Sequence, residues 1–175
     1  MSELRTNRII PRNGLPSGAS GGIIQVVSTT KTDTFTLNSE DPTAVTGLTA
    51  TITPTRSDSK ILIYMDVNSS ASAGNYTSWW YIYRDNSVVS GARGDTGESS
   101  QDRAFKSVRH KESNWPTCAS GMFLDSPSET AATTYQIYMS QEGGSTGYLN
   151  RTHSNNNNAY HPRTTSSITV MEITG

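Results

Sequence analysis

KILIYMDV, residues 60–67, alternates so that Ile61, Ile63, Met65 and Val67 fall on one face and Leu62, Tyr64 and Asp66 on the other. Side chains on a strand point to opposite faces with a period of two, so the run predicts a β-strand. Apolar residues on both faces at its start predict a central one. Downstream, past the loop NSSASAGN, YTSWWYIYRD at 76–85 repeats the pattern, with Trp79, Tyr81 and Tyr83 on one side and Trp80, Ile82 and Arg84 on the other. Asp85-Asn86 then predicts a tight turn into a hairpin partner, SVVS. Upstream, LTATIT at 48–53 puts Leu48, Ala50 and Ile52 on one face, and TFTL at 34–37 and IIQVVST at 23–29 are shorter alternating runs. Toward the C-terminus, TCASGMFLD (117–125) places Cys118, Ser120, Met122 and Leu124 on one apolar face, which predicts a buried thiol. TYQIYMSQ (134–141) turns Tyr135, Ile137 and Met139 inward, GYLNR (147–151) is short, and SSITVMEI (166–173) closes the chain. Residues 91–114 predict a long polar connection with room for one short strand. No segment has helical periodicity, and some eight to ten strands punctuated by turn signals predict an all-β, jelly-roll-like two-sheet sandwich.

Composition agrees. Of 175 residues only 33% are apolar and 17% charged, while Ser and Thr together exceed a quarter of the chain. Such a chain is rich in residues that suit a pleated, half-buried surface and poor in helix formers. A net charge of −1 provides no field to attract nucleic acid or an anionic membrane, so neither is an expected partner. A single cysteine, Cys118, rules out an intrachain disulfide. No apolar run is long enough for a membrane-spanning helix, and the first residues lack the apolar core of a secretory signal.

Residues 1–22, MSELRTNRIIPRNGLPSGASGG, form a separate region preceding the sandwich of 23–175. Pro11 and Pro16 favour extended backbone, and Gly14, Gly18, Gly21 and Gly22 oppose a helix. Leu4, Ile9, Ile10 and Leu15 alternate with Arg5, Arg8 and Arg12, a composition that predicts an arm lying on another subunit.

The sequence carries little catalytic chemistry. SGASGG lacks the Lys and the following helix of a phosphate loop. His110, His153 and His161 are not spaced as metal ligands on one element, so no metal or other cofactor is expected. Serine and aspartate are too common for a nucleophile to be singled out, and no pair of acids suggests glycan hydrolysis. Arg93-Gly94-Asp95 matches an adhesion tripeptide in a Gly-containing loop. The aromatics stand out more. Trp79, Trp80, Tyr81 and Tyr83 exceed what one core face needs, which makes them candidates for an interface or a sugar-stacking surface. In the loops, Arg93, Asp95, Asn150, Asn155 and Tyr160 are candidates for outward recognition of a polysaccharide.

LRTNRIIPRNGLPSGASGGIIQV (4–26), SKILI (59–63), YRD (83–85), FLDSP (123–127), TYQIY (134–138) and the final SSITVMEI resemble small virion proteins of tailed bacteriophages, especially marine and cyanobacterial ones. The resemblance implies a homotrimer of jelly-roll heads similar in build to those of tumour necrosis factor and C1q, located in the virion after synthesis in the host cytoplasm. It brings no catalytic residue. It implies a structural protein fixed to other virion proteins by its N-terminal arm: a short tail fibre or receptor-binding head touching host surface polysaccharide, or alternatively a capsid decoration (cement) protein. A polysaccharide depolymerase is a third reading. With the sequence starting at Met1 and no shaft preceding the head, the arm is expected to be the attachment device.

Overall fold

The computed structural model describes residues 22–95, 97 and 100–174. The arm candidates Leu4, Arg5, Arg8, Ile9, Ile10, Arg12 and Leu15 lie outside the described residues. Eleven strands follow in order: β1 Ile23–Lys31, β2 Phe35–Leu37, β3 Thr43–Ile52, β4 Lys60–Ala71, β5 Tyr76–Arg84, β6 Ser87–Val88, β7 Lys106–His110, β8 Thr117–Asp125, β9 Thr133–Gln141, β10 Gly147–Leu149 and β11 Ser166–Ile173. The only helical feature among the described residues is a single 3-10 turn, Ser90–Ala92.

The strands form two antiparallel sheets. In the first, β4 is flanked by β8 over its length, while on its other side β11 pairs with Lys60–Asp66 and β10 with Ser69–Ala71. Since β1 pairs with β11 and β2 with β10, β1 and β2 are successive pieces of one strand line, and β10 and β11 of another. Counting each line once and β6 as a hairpin extension leaves eight principal strands, ordered 1-8-3-6 in this sheet and 2-7-4-5 in the sheet of β3, β9, β5 and β7. That order is a jelly roll, the architecture expected from the sequence.

Between the sheets lie Ile61, Ile63, Met65 and Val67 of β4, Leu48, Ala50 and Ile52 of β3, Trp80 and Ile82 of β5, and Tyr135, Ile137 and Met139 of β9, all buried. Each of the larger aliphatic side chains among them contributes about 1.5–3 kcal/mol by leaving water. The inward phases of β3, β4 and β9 are those predicted by alternation. In β8 the phase is reversed: Ala119 and Asp125 are buried, while Cys118, Met122 and Leu124 are exposed. On the inner side a side chain on Gly121 would run into Lys106 and Phe105, while Phe123 packs against the core. Ile24 and Val26 of β1 also face outward.

The Asp85-Asn86 turn has φ of 46° and 65° at its two residues, the left-handed geometry that a two-residue hairpin requires. Gly22 accepts a backbone bond from Thr174, so both ends of the described chain lie together. Loops 72–75, 111–116, 142–146 and 150–165 gather at the opposite end. The connection after β6 does not join them. It leaves β5 at Tyr83–Val88, returns at Phe105, whose amide donates to Trp80, and so covers the seam between β8 and the second sheet.

Candidate functional site

The outer face of the first sheet is apolar at the end where the termini lie. Cross-strand register aligns Val26, Met171, Leu62 and Leu124 in one row and Ser28, Thr169, Tyr64 and Met122 in the next. Ile24 extends the first row's side at the β1 edge, and a third row, Thr30, Ser167, Asp66 and Ser120, is polar. Val26, Met122 and Leu124 are 56%, 65% and 46% exposed. A patch of this continuity across four strands is what an interaction surface presents. Sequence reasoning missed it because alternation names the two faces of β8 without saying which is inward. Cys118 sits at the polar margin of this face. It is exposed rather than buried, and its thiol donates to Asp66 Oδ1 at 2.9 Å. Desolvation together with the Asp66 carboxylate pushes its pKa up to about 11, so it stays an unreactive thiol near neutrality.

The aromatic cluster of β5 divides between two environments. Trp80 is fully buried with Ile82 in the core, so it cannot belong to an interface or a sugar platform. Tyr81, on the other face, is also buried, its hydroxyl paired with Ser140 Oγ at 3.0 Å. Burial raises its pKa, and the charges of Asp102 and Arg93 act on it from the seam-covering connection. Tyr83 stacks on Tyr138 at a centroid distance of 3.7 Å, and Trp79 is half-buried.

Of the loop candidates, Arg93 donates from Nε to the carbonyl of Arg103 at 2.9 Å, and Asp95 accepts from the Gly97 amide. Both belong to the seam connection. Asn150 is fully buried and is a structural residue: its Nδ2 donates to the carbonyls of Lys31 and Asp33 at 2.8 and 2.9 Å, and its Oδ1 accepts from Ser166 Oγ at 2.6 Å. Asn155 and Tyr160 remain exposed on the 150–165 loop. Trp115, which the sequence reading did not single out, is 68% exposed on the adjoining 111–116 loop. A lone Trp between turn-forming residues, in Ser-Asn-Trp-Pro, was the available signal.

His110 is buried on β7. Ser78 Oγ donates to Gln141 Oε1 at 2.6 Å, so it accepts from His110 Nε2 at 2.9 Å, which sets the tautomer. The serine proton therefore points away from the imidazole and no solvent reaches the pair, the reverse of an activated nucleophile. Burial lowers the His110 pKa to about 4, so the ring is neutral. At the seam, Asp125 Oδ2 accepts from Arg84 at 2.6 Å and from the Tyr135 hydroxyl at 2.7 Å, bolting β8 to the second sheet beside a polar cleft of about 170 Å³. Among the described residues no group of three His, Cys, Asp or Glu converges to hold a metal ion.

No protein-family profile and no curated protein sequence matches the chain. Solved structures do resemble it in fold. The Eiger tumour necrosis factor from S. frugiperda is similar with a TM-score of 0.43 and 9% identity over 88% of this chain and 93% of that one. The T=1 particle protein of infectious bursal virus is similar with a TM-score of 0.47 and 12% identity, over 98% of this chain but only 41% of the viral chain. Both likenesses are distant, and the jelly roll rests on the strand order itself.

Proposed function

We propose that the chain is a non-enzymatic structural protein of a bacteriophage particle: a homotrimeric jelly-roll head, held to neighbouring virion proteins by residues 1–22 and serving as a short tail fibre or receptor-binding head. The observation that supports it is the apolar outer face of the first sheet. Val26, Met122 and Leu124 stand exposed there beside Leu62 and Met171, and a second copy covering them would remove their cost to solubility. The number three comes from the resemblance to phage virion heads. Light scattering on the full chain tests self-association: the expected mass is three times 19.0 kDa. The double variant Met122→Lys, Leu124→Lys should fall to the single-chain mass with its fold intact. A wild type that stays monomeric at high concentration sinks the reading.

Capsid decoration is the competing placement. Counting copies per particle separates the two, since several hundred would exclude a tail fibre and a few dozen or fewer would exclude a cement protein.

A further inference from the structure

The loop end of the sandwich carries two exposed aromatic rings, Trp115 at 68% and Tyr160 at 84%, which the core and the sheets do not use. Both are mounted on braced loops. Trp115 Nε1 donates to Glu112 Oε2 at 2.9 Å, which orients the indole and satisfies its one polar group. The residue is otherwise largely open to solvent. The 111–116 and 150–165 loops are tied to each other by bonds from the His153 amide to the Ser113 carbonyl and from the Ser154 amide to Asn114 Oδ1, both 3.1 Å. Within the second loop, Asn158 accepts from the amides of Tyr160 and His161, each at 2.9 Å. At its base the Arg151 guanidinium lies 3.9 Å over the Tyr148 ring and donates to the carbonyls of Thr152 and His153.

We infer that this end binds a neutral oligosaccharide, with Trp115 stacking on the C–H face of one sugar ring and Tyr160 contacting the chain beside it. The amides of Asn155 to Asn158 would meet the hydroxyls. Rigid aromatics set among small adaptable amides are the composition of a recognition surface that loses little entropy on binding. The surroundings favour sugar over protein, because no Leu, Ile, Val or Met lies within five residues of either ring in sequence to build the dry centre of a protein interface. They favour a neutral glycan over an acidic one. Glu112 is committed to Trp115 and Arg151 to Tyr148, which leaves Lys111 and Arg163, on separate loops, short of the arginine cluster that binds anions.

The inference rests on the reading of the chain as a host-contacting head, and the test keeps the two apart. The full-length protein is titrated with neutral glucose-, galactose-, mannose- and N-acetylglucosamine-based oligosaccharides, and with acidic ones, while acrylamide quenching of tryptophan fluorescence is followed. Trp80 is buried and Trp79 half-buried, so quenching reports chiefly on Trp115. A neutral oligosaccharide should shield Trp115. The Trp115→Ala variant should bind about tenfold more weakly or worse, Tyr160→Ala should lose less, and Trp115→Phe should retain most of the binding, all with unchanged melting. Failure of every neutral oligosaccharide to bind, binding of acidic ones alone, or binding that survives Trp115→Ala would overturn it. Masses measured on the same samples separate the claims: a trimer that binds no sugar defeats this inference only, and a monomer that binds sugar defeats the assembly reading only.

Discussion

Asn150 stands where two neighbouring strand lines are interrupted side by side, and its backbone and side chain mend both breaks. Its amide donates to the Asn68 carbonyl at 2.9 Å, its φ of 59° turns the chain out into the 150–165 loop, and its side chain holds Lys31, Asp33 and Ser166. Asn tolerates the left-handed region better than most residues, and only an amide can both donate twice and accept here. Asn150→Ala should therefore lower unfolding free energy by about 3 kcal/mol in chemical denaturation, because it orphans buried carbonyls as well as losing bonds. Asn150→Asp should cost more, since a carboxylate would face two carbonyl oxygens. His110 makes a second prediction at this scale. Its folded pKa, about 4, lies below the ordinary 6.5, so the unfolded chain takes up a proton first as pH falls. Stability contributed by the neutral ring is full above pH 6.5 and is lost progressively down to about pH 4, where the loss levels off. At about 1.4 kcal/mol per unit the loss is on the order of 3 kcal/mol. In denaturant titrations between those pH values, His110→Asn should lack this component of the slope. Neither role is visible in the sequence, where Asn150 reads as a candidate for outward recognition and His110 as one of three histidines not spaced as metal ligands.

β8 and β5 show how far an element can be read alone. The alternation of β5 placed Trp80 and Ile82 on one face and Trp79, Tyr81 and Tyr83 on the other, and the hairpin after it followed from Asp85-Asn86; all of this is local. Which face is buried is not local. In β8 Met122 and Leu124 point to solvent, while Ala119, Gly121, Phe123 and Asp125 take the inner phase, where Phe123 packs against the core and Lys106 and Phe105 leave no room for a side chain on Gly121. Gly121→Val should displace the Lys106 side chain and crowd Phe105, lowering stability by about 1–3 kcal/mol, read from the thermal or denaturant midpoint. By contrast, Met122→Lys with Leu124→Lys should leave monomer stability within about 0.5 kcal/mol, since both side chains are exposed, and change only the measured mass.

Across the whole molecule, the described chain starts and ends at one end of the jelly roll, beside the apolar face, while Trp115 and Tyr160 lie at the other. That polarity separates the proposed attachment from the proposed recognition. Deleting residues 1–22 should yield a soluble trimer that no longer enters particles in a reconstitution assay; normal incorporation would show that the segment does not attach the protein. The sequence by itself determined the strands, their two faces, the main hairpin and the all-β class, because each depends on neighbours two to ten residues away. Tertiary structure alone decided that Met122 and Leu124 form an outer surface, that Trp80 and Asn150 are interior, and that Gly91 and Phe105 pack over the seam. Those outcomes depend on contacts between residues far apart in the chain, such as the 119 positions separating Asn150 from Lys31, and a period of two carries no information over that distance.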